Sequence, residues 1–206
     1  MIHVVDDEEP IRDALAWLLR SRDLACRAFA SGEDFLAYLA TPEADPASPA
    51  AVLLDVRMGG ISGTELFERL SSEDRFPAWP VVFLTGHGDV PMAVEALKQG
   101  AFDFVEKPFN DNSLVDRLVA ALDESHRRLR EVREAALREE RLATLTTRER
   151  EVLDLIVEGH YNKVIADRLG IAMRTVEVYR ARIFEKMGVR TAVELAGVMA
   201  PRRHDS

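Results

Sequence analysis

Ala51-Val52-Leu53-Leu54-Asp55 is the stretch that decides the fold. A short, uniformly apolar run is the pattern of a strand buried on both faces, and Asp55 closes it at the C-terminal end. Three other runs share the design. Ile2-His3-Val4-Val5 ends on Asp6 and Asp7, Val81-Val82-Phe83-Leu84 ends on Thr85, and Phe102 to Val105 is followed by Lys107. Open parallel α/β sheets place their sites at the carboxyl ends of the strands. Three acids, one hydroxyl and one ammonium are therefore expected along one edge.

Helical patterns fill the spaces between these runs. Residues 9–20 carry Ile11, Ala14, Leu15, Leu18 and Leu19 at helical spacing, and a short strand is expected over Leu24 to Phe29. Ser31 is placed to cap a helix over Glu33–Leu39. Helices are also expected over 62–71 and over Val90–Gln99, with Gly100 just past the end of the second. The segment 41–49, with three prolines, reads as a long surface loop because a strand-like run resumes at Ala51. With the last strand at Ala101–Val105 and a helix from near Asn112, the β-α unit repeats five times. That alternation implies an α/β domain with a doubly wound, five-stranded parallel sheet.

Charge divides the chain. Residues 1–125 hold 10 Lys+Arg against 23 Asp+Glu, whereas residues 126–206 hold 17 against 13. An acidic half joined to a basic half points to two modules with different partners. The single cysteine, Cys26, excludes an internal disulfide framework and is expected as a small buried hydrophobe in a strand. The start MIHVVDDEE lacks a signal-peptide layout, and no apolar stretch approaches the roughly 20 residues needed to cross a bilayer. A cytoplasmic protein with no membrane association is the expectation.

The five polar groups at the strand ends suit phosphoryl chemistry. Asp6, Asp7 and Asp55 are hard oxygen ligands of the kind Mg²⁺ takes together with water and phosphate oxygens. A carboxylate can accept a phosphoryl group covalently. Charge on the transferred group then calls for a cation, Lys107, and a hydrogen-bond donor, Thr85. Each feature alone is weak, since acids at helix starts are common; five groups at four strand ends are a far more specific combination.

Val4-Val5-Asp6-Asp7-Glu8, Leu54-Asp55-Val56-Arg57-Met58, Thr85-Gly86-His87 and Lys107-Pro108-Phe109 together resemble a response-regulator receiver domain of the flavodoxin-like fold. Ile61-Ser62-Gly63 and the string Thr85-Gly86-His87-Gly88-Asp89-Val90-Pro91-Met92-Ala93 are similar to the FixJ subgroup. The resemblance implies that a sensor histidine kinase phosphorylates Asp55. It also implies that Asp7, Asp55 and the backbone carbonyl of Arg57 hold Mg²⁺, with Asp6 acting directly or through water. Thr85 and Phe104 are the implied switch pair, although a phenylalanine at 104 reads equally well as strand core. A cis Lys107-Pro108 bond is implied as well. The sequence departs from the family where Gly59-Gly60 follow Met58 in place of the usual proline, a looser loop beside Asp55. Arg57 and His87 lie where family members tune phosphate lifetime, and His87 reads equally as a loop cap.

No Gly or Pro interrupts residues 113–158. If residues 113–142 form one helix, it is roughly 45 Å long. Leu118, Leu122, Ser125, Leu129, Val132 and Ala136 step by four and three residues, a heptad seam. The seam fits pairing in a dimer or a solitary linker helix, with Arg127/Glu131, Arg130/Glu134 and Glu134/Arg138 as supporting pairs.

The character changes at Leu145. Thr146 and Glu149 have capping-box spacing, and helices are expected over 147–157, 162–169, 173–187 and 191–199. Ala166 and Gly170 supply the small residue and the turn glycine of a helix-turn-helix, whose second helix would enter the major groove. Arg148-Glu149-Arg150-Glu151-Val152-Leu153, Asn162-Lys163, Ile165-Ala166, Arg174-Thr175-Val176-Glu177-Val178 and Glu185-Lys186-Met187-Gly188 are similar to the LuxR/NarL-type DNA-binding domain. By that resemblance Glu177, Val178 and Ala181 face base edges. Asn162, Lys163, Arg174, Thr175, Tyr179, Arg180 and Arg182 mostly meet phosphate. Tyr179 replaces the family's more usual histidine.

The expected organisation is a receiver over 1–122, a helical linker, coiled coil or not, over 123–143, and a DNA-binding domain over 144–206. The expected function is a two-component transcriptional regulator, an activator: phosphorylation of Asp55 promotes a homodimer, promoter DNA is bound at two half-sites, and RNA polymerase is contacted. An aspartate-nucleophile hydrolase or phosphotransferase would need a second acid two residues after Asp55; Arg57 stands there, so no enzyme is expected. A regulator working through a partner protein without phosphorylation is the remaining rival.

Overall fold

The structure, a computed structural model, describes residues 1–72, 78–86 and 90–200. They fall into two compact units, Met1–Glu131 and Val132–Ser206.

The first unit is built on five strands, β1 (Ile2–Val5), β2 (Cys26–Phe29), β3 (Ala51–Asp55), β4 (Val81–Thr85) and β5 (Asp103–Glu106). All neighbours are parallel, in the order β2-β1-β3-β4-β5. The order reverses between β1 and β3, the switch point at which open α/β sheets form their crevice. Helices α1 (Glu9–Ser21), α2 (Gly32–Leu39), α3 (Gly63–Ser72), α4 (Val90–Lys98) and α5 (Asp111–Ala143) follow the strands in turn. Strand β5 starts two residues later than the apolar run indicates. Phe102 still donates its backbone N–H to the Val81 carbonyl, but the ladder itself begins at Asp103.

The period-2 alternation of the strands sorts their residues between two cores. Ile2, Val4, Leu53, Val82, Leu84 and Val105 face one cluster with Leu15, Leu19, Leu114 and Leu118 from α1 and α5. Val5, Val52, Leu54, Val81 and Phe83 face the other with Phe35, Leu66 and Phe67 from α2 and α3. His3 lies among the rings of Phe29, Phe35, Tyr38 and Trp79, with centroids 4.8–5.9 Å away. Burial there lowers its pKa from 6.5 to about 3, so the ring packs as a neutral aromatic. Cys26 is only half-buried, because β2 is an edge strand, and its thiol lies 4.0 Å from the Ala16 carbonyl.

The loop 40–50 is tied down along its length. Tyr38 Oη donates to the Glu43 carbonyl (3.2 Å), Trp79 Nε1 to the Ser48 carbonyl (3.0 Å), and the N-terminal ammonium to the Pro49 carbonyl (3.0 Å). Ala50 donates its N–H to Ser125 Oγ (3.2 Å). Ser125 is fully buried, and Leu129 packs in the same cluster as Ala44, Ala50, Ala78 and Trp79. The heptad seam, which fits either pairing in a dimer or a solitary linker helix, is thus largely covered within the first unit. Leu118, Leu122, Ser125 and Leu129 are all taken up within the first unit. Ser125 interrupts the apolar pattern because it is the acceptor for the buried Ala50 amide. Only Val132 and Ala136 of the seam face solvent. Two turns of the helix beyond residue 122 thus belong to the receiver's packing. The Arg127–Glu131 pair forms, and Arg127 and Arg128 also clasp Glu124, lowering its pKa to about 2.

In the second unit, α6 (Thr147–Val157), α7 (Asn162–Leu169), α8 (Met173–Met187) and α9 (Ala192–Met199) enclose a core of Val152, Leu153, Ile156, Ile165, Val176, Ile183, Met187 and Leu195. The Thr146–Glu149 capping box is complete. Lys186 Nζ lies 2.6 Å from the buried Glu149 carboxylate and is the main reason its pKa is held low. Gly170 ends α7 at φ +64°, the left-handed turn the helix-turn-helix requires.

Leu129→Ala is expected to lower the stability of the first unit by about 2–4 kcal/mol, the usual cost of emptying a core leucine site. Val132→Ala on the exposed stretch of the same helix should cost less than about 0.5 kcal/mol. Urea unfolding followed by tryptophan fluorescence measures the first, since Trp17 and Trp79 lie in that unit, and the helical circular dichroism of the full chain measures the second.

Candidate functional site

The carboxyl edge of the sheet gathers the groups read from the sequence. Asp55 is the last residue of β3, Thr85 the last of β4, Asp6 follows β1, and Lys107 follows β5. The Lys107 ammonium bridges the two buried acids, 2.6 Å from Asp55 Oδ1 and 3.1 Å from Asp6 Oδ2. The other Asp55 oxygen, Oδ2, accepts from the Arg57 backbone N–H at 2.9 Å. Asp6 Oδ1 accepts from the Glu8 N–H at 2.9 Å, and Arg12 donates to the Asp6 carbonyl at 2.8 Å.

Burial pushes the Asp55 pKa up, and the Asp6 charge adds to the rise, while Lys107 and the Arg57 N–H oppose it. Burial alone would lower the Lys107 pKa, but its hydrogen bonds to Asp55 and Asp6 win, so it is held above its ordinary value and stays cationic. Thr85 is fully buried, and its Oγ1 has no hydrogen-bond partner among the described residues. A buried hydroxyl left unpaired is costly and rare. Such a hydroxyl is able to donate to an acceptor atom that a ligand supplies.

Asp7 stands apart. It is exposed, and its Oδ2 accepts from the Gly59 N–H at 2.9 Å. Among the described residues no group of three or more His, Cys, Asp or Glu side chains is arranged to hold a metal ion. Mg²⁺ does not need such a cage, because it binds through one or two carboxylates plus waters and phosphate oxygens. Each of the three aspartates retains lone pairs beyond the bonds described. The donor set is therefore chemically suited to Mg²⁺, as paired hard oxygens rather than a closed cluster.

The loop after β3 is tightly constrained. A Cβ on Gly63 would fall 2.0 Å from the Asp55 carbonyl oxygen, so glycine is required for α3 to start there. Gly60 has φ +75°. Ile61 donates its N–H to Glu33 Oε1 at 3.1 Å. Glu33 has no distinguishing signal in the sequence beyond being an acid in the first turn of α2. Phe104 is half-buried against the α2–α4 side core. Lys107-Pro108 is cis. His87 lies outside the described residues.

In the second unit, Arg174, Glu177, Val178 and Ala181 recur at helical spacing on the exposed side of α8, flanked by Thr175 and Arg182. Val176, Ile183 and Met187 turn inward. Arg180 lies over the Phe184 ring at 5.3 Å, and Tyr179 packs partly into the core. Lys163 is exposed and Asn162 half-buried at the start of α7.

Comparison with known proteins accounts for both units. Residues 2–119 match the response regulator receiver domain family, and residues 143–199 match the luxR family of bacterial regulatory proteins. The chain is 50% identical over 195 residues to the C4-dicarboxylate transport transcriptional regulatory protein DctR of Rhodobacter capsulatus, covering 95% of this chain and 96% of that one. It is 43% identical to the transcriptional regulatory protein FixJ of Azorhizobium caulinodans, covering 94% and 89%. Among solved structures it is similar to the response regulator StyR, with a TM-score of 0.79, 38% identity and 96% of each chain covered. No helix among the described residues is long and apolar enough to cross a membrane. With a flavodoxin-like receiver in its first unit and a LuxR-type helix-turn-helix in its second, the chain belongs to the two-component response regulators of the FixJ/NarL family.

Proposed function

We propose that this regulator is switched by transfer of a phosphoryl group from a sensor histidine kinase to Asp55. The carrying observation is the buried, unpartnered Thr85 Oγ1 at the end of β4, beside the strand on which Lys107 grips Asp55. An Asp55 carboxylate oxygen attacks phosphorus, the bond from phosphorus to the kinase imidazole nitrogen breaks, and the imidazole leaves with a proton. Asp7, Asp55 and the Arg57 carbonyl, with Asp6 directly or through water, would hold Mg²⁺, which would supply charge neutralisation at the phosphoryl oxygens. Lys107 follows the phosphate as a point charge. Thr85 donates its hydroxyl to a phosphoryl oxygen, and the aromatic ring of Phe104 shifts with it.

The sequence placed a receiver over 1–122, a helical linker over 123–143 and a DNA-binding domain over 144–206; since Ser125 and Leu129 pack within the first unit, which runs to Glu131, we propose a receiver extending to about that residue, with the linker after it. Phosphorylation promotes a homodimer, which places two copies of α8 on promoter half-sites. Glu177, Val178 and Ala181 read base edges. Asn162, Lys163, Arg174, Thr175, Tyr179, Arg180 and Arg182 position the helix on phosphates. The bound pair contacts RNA polymerase and activates transcription in the cytoplasm. Arg57 occupies the place where an aspartate-nucleophile hydrolase carries its acid/base, so turnover of small phosphate esters is not part of the function.

Beryllofluoride with Mg²⁺ should convert the full chain from monomer to dimer in sedimentation and produce a footprint on DNA selected from a random pool. Asp55→Asn should show neither response. Equal DNA affinity with and without beryllofluoride would favour a regulator that works without phosphorylation. Thr85→Val should leave the unphosphorylated protein within about 1 kcal/mol of the parent, because no partner is lost on replacing an unpaired hydroxyl. The same change should weaken the dimer formed with beryllofluoride. A Thr85→Val loss of about 2 kcal/mol or more in the resting protein would mean that the hydroxyl is structural.

A further inference from the structure

The geometry points to Glu33 as a positioning residue for the phosphoacceptor site, acting through the Gly59-Gly60 loop on Asp7. Glu33 sits in the first turn of α2, well away from Asp55 in the chain, and its Oε1 accepts the Ile61 N–H at 3.1 Å. Two residues earlier, Gly59 donates its N–H to Asp7 Oδ2 at 2.9 Å. Between them lies Gly60 at φ +75°, where a Cβ would fall 2.5 Å from Glu33 Oε1. The loop is thus fastened at both ends by carboxylates from outside it, and the glycine between them leaves space for the Glu33 head group.

A Gly-Gly pair is otherwise the most mobile backbone available, since glycine has the most conformational freedom to lose. Left to itself it would present the Gly59 N–H over a broad range of positions. Glu33 removes that freedom by fixing Ile61, so that Gly59 meets Asp7 in one place. Asp7 Oδ2 then accepts from the amide, which fixes the orientation of the carboxylate and leaves Oδ1 without a bond to this loop to meet a cation. Gly32 tightens the same junction, because a Cβ there would lie 3.3 Å from Ile61 Cβ. Where family members carry a proline to stiffen this loop, this chain uses a side chain from α2.

The inference rests on Asp7 being a Mg²⁺ ligand of the phosphoacceptor site. Its test is a Mg²⁺ titration of the full-length, unphosphorylated protein, followed by calorimetry and by the NMR shift of the Gly59 amide. Glu33→Ala should weaken Mg²⁺ binding roughly three- to tenfold, as loss of an outer support for a metal ligand does. It should also speed hydrogen exchange of the Gly59 and Ile61 amides. Glu33→Gln keeps an oxygen for the Ile61 N–H and should stay within about twofold of the parent in both, the precision that separates it from a lost hydrogen bond. Gly60→Ala, which strains the backbone at φ +75° as well as crowding Glu33, should weaken Mg²⁺ binding at least as much as Glu33→Ala.

Equal weakening by Ala and Gln would overturn the proposal by making Glu33 a distant charge rather than a clamp. Unchanged Mg²⁺ affinity and amide exchange in Glu33→Ala would overturn it as well, while the site reading stood. Failure of the parent protein to bind Mg²⁺ at all would remove the site reading, and the proposal with it.

Discussion

Two carboxylates buried at the edge of a sheet cannot persist as charges without a cation, and Lys107 is that cation. Removing a carboxylate from water costs several kcal/mol after relaxation, and a nearby ammonium is what offsets it. Asp6 is fully buried and Asp55 nearly so, and Lys107 Nζ touches both. This contact joins the ends of β1, β3 and β5, so the packing of the sheet and the readiness of the site are one arrangement. It also supports the proposal that the site takes up an anion. A phosphoryl group on Asp55 would bring negative charge to a lysine already in place, and a hydrogen-bond acceptor to a Thr85 hydroxyl that has none among the described residues.

Everything else about the receiver supports the placement of those side chains. The alternation of β1 sends Val4 and Val5 to opposite cores and leaves Asp6 at the rim. Gly63 lets α3 begin directly against the Asp55 carbonyl. At the other end of the strands, loop 40–50 and Trp79 form a floor on which Ser125 and Leu129 of α5 rest. The helix that leaves the receiver is therefore part of its core for two turns past Leu122, and only from Val132 onward does its former seam face solvent.

Much of this was legible in the sequence because short-range rules carried it. Apolar runs ending in polar groups located four of the five strands, Ser31 and Thr146 announced their helices as caps, and Gly170 marked the helix-turn-helix bend. In the second unit the bounds 147–157, 162–169 and 173–187 are those of α6, α7 and α8. What sequence spacing missed was long-range. A heptad pattern specifies that one face of a helix is apolar, not what covers it, and here the cover was a proline-bearing loop some 80 residues earlier, given by the 75-residue separation of Ala50 and Ser125. Glu33 was equally hidden, because its partner amide is 28 residues away and belongs to a loop with no side chain to signal it. Cys26 proved half-buried for a topological reason, since only the strand order shows that β2 is an edge.

The carboxylate held by Lys107 is the one proposed to carry the phosphate. The most direct measurement treats the full-length protein with acetyl phosphate and Mg²⁺, reduces the acyl phosphate with borohydride, and maps the product by mass spectrometry. Reduction converts a phosphorylated aspartate to homoserine, and this account predicts homoserine at position 55. Homoserine at Asp6 or Asp7, or at any other aspartate with position 55 unchanged, would contradict it.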